Sequence, residues 1–261
     1  IPVPKTYEEV VAASEKIRAS GKMQHPYAAA YKAGWNLAEE FVNMFIGHGG
    51  EFFKAGTAEP NINNAKGVAT LNMLKKLASL SNPDYLTHDS EAIKVEWESG
   101  KVALMTLWAS RSGTLLDDEG DAKITAATKL TGPATVGGGN IPAATLWWDG
   151  FTLAKNRSDS DAEATFIALA HAASNKKMVA DAADQAVWLV EGFVPGPKSI
   201  GVIEAVKMGA KPYPMLPQMG LMHGALGSEI VEFLQGKESA EQALKDVEAA
   251  YISKAKEQGF L

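Results

Sequence analysis

Aromatic and amide side chains at the ends of predicted elements are where this sequence could do chemistry. Trp35-Asn36 immediately precedes an apolar helical segment, and Trp108 ends an apolar run of strand length. Trp147-Trp148-Asp149-Gly150 follows a glycine-rich stretch, and His223 lies shortly after Pro217-Gln218-Met219. Indole faces suit the apolar C–H face of a sugar ring, while Asn and Asp answer hydroxyls as donors and acceptors. For any one Trp, packing into a core is the competing reading. Trp97 and Trp188, inside helical patterns, are read as core.

Enzyme signatures give nothing comparable. The sequence has no G-x-S-x-G, no H-E-x-x-H and no G-x-x-x-x-G-K-[ST]. Gly137-Gly138-Gly139 precedes Pro142 and a strand, so it reads as a flexible connection rather than a phosphate cradle. The five histidines (His25, His48, His88, His171, His223) are scattered, which favours structural roles over metal ligation. Asp117-Asp118-Glu119-Gly120-Asp121 lacks the alternating spacing of a calcium loop and reads as a solvated turn. No catalytic residue, metal or cofactor is expected. A carboxylate pair distant in sequence, with Asp149 as one member, keeps a carbohydrate-active enzyme as the alternative.

Composition narrows the partners. Over 261 residues, 25 Lys+Arg against 31 Asp+Glu leave a net charge of −6, and no basic run offsets it. Phosphate neutralisation needs a basic face, so nucleic acid is excluded as a main partner. No apolar run approaches the roughly 20 residues of a membrane span. The length holds one large domain or two modest ones. Cys is 0, which removes thiol catalysis, disulfides and Cys-ligated zinc, and fits an exported protein. The chain opens on Ile1-Pro2-Val3-Pro4, from which a removed leader or a piece of something longer is expected.

The elements that must position these residues are mostly helices. Thr6 and Glu9 form a T-x-x-E capping box, with Val10, Ala13 and Ile17 as the apolar face of a helix over 7–19. Further helices are predicted over 37–47, over 64–80 with Val68, Leu71, Leu74 and Leu77 buried, and over 90–99. Val102–Trp108 and Leu146–Ala154 read as strands, with a loop over 131–142 between them. Helices follow near 159–173, 174–187, 199–208 and 220–235, and Ser239 with Gln242 caps the last one. Strands alternating with helices give an α/β layering.

Several motifs, in order, resemble the family-1 extracellular solute-binding proteins of ABC sugar transporters, which include maltose-binding protein. Pro4-Lys5-Thr6-Tyr7-Glu8-Glu9 resembles the family's P-x-T-[WY]-E-E, and Gly49-Gly50 with Phe52-Phe53 its GG-x-[FY]-F turn. Gly100-Lys101-Val102-Ala103-Leu104-Met105, ending on Trp108, resembles the G-K-x-A-M strand. Gly150-Phe151-Thr152-Leu153-Ala154-Lys155 resembles the strand that crosses back to the other lobe, and Asp161–Phe166 the helix after it. Pro217-Gln218-Met219 falls where maltose-binding protein has the same tripeptide.

The resemblance implies a type II periplasmic-binding-protein-like α/β fold, two lobes joined by a hinge, with the N-terminal lobe incomplete. Residues 1–145 and 205–261 would form the C-terminal lobe, and 146–204 would return to the N-terminal lobe. The strand after 146 is then expected to have an unpaired edge, and 159–187 an uncovered apolar face. A fragment, a processed chain or a second copy would account for this. The resemblance also implies capture of a sugar or polyol and delivery to ABC permease subunits, in the periplasm or lipid-anchored outside a Gram-positive cell. A ligand-sensing receptor module of the same fold is the other alternative. Carried over by position, the ligand-binding residues are Trp35, Asn36, Trp108, Trp148, Asp149, Gly150 and His223. His223 stands where maltose-binding protein has a stacking Trp, which points to a smaller sugar or a polyol.

Overall fold

The structure is a computed structural model that describes residues 2–117, 120–174, 176–183, 185, 187–188 and 191–261. In chain order it forms α1 (Tyr7–Ala19), β1 (Tyr27–Ala28), α2 (Trp35–Gly47), α3 (Ala65–Ala78), α4 (Ser90–Glu98) and β2 (Leu104–Met105). Next come α5 (Ala109–Ser112), α6 (Ala122–Ala127), β3 (Thr145–Leu146), α7 (Asp159–Ser174) and α8 (Lys176–Asp181). The chain closes with α9 (Ile200–Lys207), β4 (Lys211–Pro212), α10 (Met219–Leu234) and α11 (Ala240–Glu257).

Helix starts follow their caps. Thr6 Oγ1 accepts from the Glu9 amide at 3.1 Å, but the Glu9 carboxylate takes the Lys5 amide at 2.7 Å, one residue before the reciprocal partner of a capping box. Ser239 Oγ accepts from the Gln242 amide, while the Gln242 side chain turns to Asp246. In α1 the buried residues are Tyr7, Val11, Ala13 and Ser14: of the predicted face Ala13 is buried and Val10 packs at the core's margin, while Tyr7 and Val11 shift the centre of the stripe. The predicted stripe of α3 holds: Leu71, Leu74 and Leu77 are fully buried and Val68 packs at their margin.

The main core lies among α2, α3, α10 and α11, where Phe41, Phe45, Leu74, Leu226, Leu244 and Val247 interlock. The sheets are vestigial. β1 pairs with β2 in parallel, Tyr27 opposite Leu104. β3 pairs with β4 in parallel, Thr145 opposite Lys211. Both long predicted strands are therefore corrected to two-residue ladders, since strand backbone needs a neighbour to satisfy its N–H and C=O groups and, among the described residues, none pairs beyond these positions. The helix predicted over 174–187 ends at Asp181.

No residue of α7 is buried, and Phe166 and Ile167 face outward. The uncovered apolar face expected there is present. The loop over 131–142 is tied to the start of the chain, Tyr7 donating to the Thr135 carbonyl at 2.9 Å and Thr135 to that of Lys5 at 3.0 Å. Of the acidic run, Asp121 caps α6 through the Lys123 amide, and Asp118 and Glu119 lie outside the described residues.

Candidate functional site

Where β2 ends, β3 leaves and α2 begins, four aromatic rings and an imidazole meet. The start of α2 is fixed by α10. The Gly34 amide donates to the Gly227 carbonyl at 3.0 Å, and a methyl at Gly227 would overlap the Gly34 backbone. Gly34 has φ +97°, a left-handed conformation that glycine tolerates. This tight approach projects Trp35, 50% exposed, from the first position of α2.

Trp35 meets Trp108 edge to face, centroids 5.4 Å apart at 88°. It lies 5.9 Å from Trp147 and 5.0 Å from the His223 ring. Trp147 in turn lies 4.3 Å from Tyr213 at 32°. Such pairs contribute about 0.5–1.5 kcal/mol each beyond area burial, so the rings form a preorganised aromatic cradle. Trp108 Nε1 is buried with no hydrogen-bond partner, and Arg111 stands 5.7 Å over its ring while pairing with Glu91.

His223 is buried and serves from behind. The Trp35 carbonyl can only accept, so Nε2 carries the proton and donates to it at 3.0 Å. Nδ1 then accepts from the Tyr213 hydroxyl at 3.0 Å. Burial lowers the His223 pKa, against the opposing effect of the Trp35 carbonyl, which keeps the ring neutral for both bonds.

Beneath Trp35, one and two turns along α2, stand Glu39 and Asn43. The Thr145 hydroxyl lies 2.9 Å from Glu39 Oε1 and 2.8 Å from Asn43 Oδ1. The Trp147 indole N–H reaches Thr145 Oγ1 at 3.0 Å and Glu39 Oε1 at 3.3 Å. Burial pushes the Glu39 carboxyl up to about 7, against the lowering effect of these hydrogen bonds. Glu40, buried beside Tyr7, Tyr27 and Tyr31, is pushed up to about 8 by burial and then by Glu39.

Of the predicted residues, the structure brings together Trp35, Trp108 and His223. Asn36 follows Trp35 on α2, half-buried. Trp148, 72% exposed, folds over Gly150 and lies outside the cradle with Asp149 and Gly150, all three exposed. Trp147, its chain neighbour, fills the cradle instead, and Tyr213, Glu39, Asn43 and Thr145 complete it. Two signals could have found them: alternation in a strand puts one of two adjacent Trp on each face, and Trp35, Glu39 and Asn43 repeat at four. Among the described residues no group of three or more His, Asp or Glu could hold a metal ion, and no helix is long and apolar enough to cross a membrane.

A family profile for the bacterial extracellular solute-binding proteins matches residues 1–179. The chain belongs to that family. A probable amino-acid ABC transporter periplasmic-binding protein of Sinorhizobium fredii is 31% identical over 115 residues, 44% of this chain and 26% of that protein. Among solved structures, a ribitol-bound ABC transporter solute-binding protein of Agrobacterium radiobacter superimposes with a TM-score of 0.79 at 20% identity, over 95% of this chain and 64% of that one. Maltose-bound MalE3 of T. maritima gives a TM-score of 0.77 at 15% identity, over 96% and 65%. The fold is therefore that of the type II periplasmic binding proteins. The chain spans about a quarter of the length of its Sinorhizobium relative and less than two thirds of these solved chains.

Proposed function

We propose that this solute-binding protein captures a sugar or sugar alcohol between two lobes and delivers it to the permease of an ABC importer, making and breaking no bond. The observation that carries the reading is the cradle: Trp108 and Trp147 both lie within 6 Å of Trp35, at centroid distances of 5.4 and 5.9 Å. Indole faces stack on sugar C–H faces, and Asn36 answers hydroxyls. His223 acts through Trp35 and Tyr213. In this reading residues 1–145 and 205–261 form the C-terminal lobe, and 146–204 return to the N-terminal lobe and bring Trp148, Asp149 and Gly150 to the ligand from the hinge. Hinge closure is driven by contacts the ligand makes with both lobes. The site of action is the periplasm, or the outer face of a Gram-positive membrane through a lipid anchor.

An amino-acid ligand would need a cation for its carboxylate, and Arg111, which stands over the Trp108 ring, is paired with Glu91. A thermal-shift panel of ribitol, mannitol, maltose and the common amino acids tests the proposal. One sugar or polyol should stabilise the protein by about 2.7 kcal/mol at a hundredfold excess over its dissociation constant. An amino acid that does so while every sugar is silent would overturn it.

A further inference from the structure

Around Thr145 Oγ1 the protons do not balance unless one neighbour brings its own. Glu39 Oε1 lies at 2.9 Å, Asn43 Oδ1 at 2.8 Å and Trp147 Nε1 at 3.0 Å. The indole can only donate, and Thr145 has one proton for two acceptors. A neutral Glu39 protonated on Oε1 resolves this: Glu39 donates to Thr145, Thr145 donates to Asn43, and Trp147 donates to Thr145. Turning the Asn43 amide would also balance Oγ1. It would leave an ionised Glu39, 2% exposed, with Oε2 buried and unpartnered, which is the costlier state.

The position of this carboxyl gives the proton a task. Thr145 belongs to β3 and Trp147 follows it, while Tyr213 follows β4 and stacks on Trp147. Glu39 therefore fastens to α2 the paired strands through which the chain leaves and re-enters the lobe. We propose that Glu39 is a positioning residue whose proton clamps β3 and β4 to α2 and makes assembly of the aromatic cradle pH-dependent, an inference that rests on the cradle being the ligand site.

Among the described residues the titratable groups around it are Glu40 on its own helix, Tyr213 after β4, and His223 on α10 behind Tyr213. Lys211, opposite Thr145 in register, is turned to Glu51 at 3.7 Å. Among the described residues no cation is placed to hold Glu39 ionised, and its shift toward 7 agrees with the proton count.

The test follows tryptophan fluorescence of the unliganded protein from about pH 5 to about pH 9. The Trp147 signal of the wild type should show a transition near pH 7 that vanishes in Glu39→Gln. The wild-type minus Trp147→Phe difference should carry it; Trp147 is 48% exposed, so this second variant keeps its fold if the first does not. Ribitol affinity of the wild type should weaken about tenfold one pH unit above the midpoint, where roughly one molecule in ten keeps the proton, and stay level in Glu39→Gln. Glu40, pushed up to about 8, titrates in the same window without touching Trp147, so a Trp147 difference that still titrates in the Glu39→Gln background, or a flat wild-type Trp147 difference, overturns the clamp. A titrating cradle that binds no sugar upholds the clamp and overturns the ligand reading.

Discussion

Glu40 should make this protein less stable at alkaline pH, and by an amount that one substitution isolates. The side chain is 4% exposed on α2, with Tyr7, Tyr27 and Tyr31 as neighbours and, among the described residues, no cation beside it. Burial and Glu39 raise its carboxyl from the ordinary 4.5 to about 8. A raised acid keeps a proton in the folded state that the unfolded chain releases, so stability falls as pH rises between those two values and is flat outside them. Each tenfold in the ionisation constant corresponds to about 1.4 kcal/mol, so between pH 5 and pH 8.5 Glu40 should remove about 4 kcal/mol. Glu40→Gln keeps the shape and cannot ionise. Urea denaturation of both proteins at the two pH values supplies the comparison. The wild type should lose about 4 kcal/mol more than the variant across that interval, the two being close at pH 5. Equal losses would refute the argument, because Glu40 would then be charged or hydrated in the fold.

Two further substitutions probe the scaffold of the cradle. Gly227→Ala drives a methyl into the Gly34 backbone and should cost about 1–3 kcal/mol, read as a lower urea midpoint, with weaker sugar binding because Trp35 is displaced. His223→Ala removes the bonds to Trp35 and Tyr213 and should cost about 2 kcal/mol while red-shifting Trp35 fluorescence; unchanged emission would separate His223 from the cradle.

Helices were legible because their signals are local. The caps at Thr6 and Ser239 and the Leu71, Leu74, Leu77 stripe are read within one segment, and all stand in the structure. Strands were not, because Val102–Trp108 and Leu146–Ala154 carry the right composition but take extended pairing only where another strand lies alongside. Tyr27–Ala28, too short to alternate, gave no sign that it would be that partner. Trp35 and Trp108 could be placed at the cradle from the ends of their elements. The choice between Trp147 and Trp148 depends on which face of β3 meets α2, a tertiary fact. Glu39 and Glu40 carried no local signal that singled them out; a helix apolar on nearly every side buries them both.

The measurement that bears most directly on the cradle as a sugar or polyol site is calorimetric titration of ribitol and maltose into wild type and Trp108→Ala, with melting curves of each. The account predicts saturable binding of one of them by the wild type. It further predicts a loss of roughly 2 kcal/mol of binding free energy, about thirtyfold in the dissociation constant, in a variant that still melts cooperatively. An unchanged dissociation constant in Trp108→Ala would contradict it.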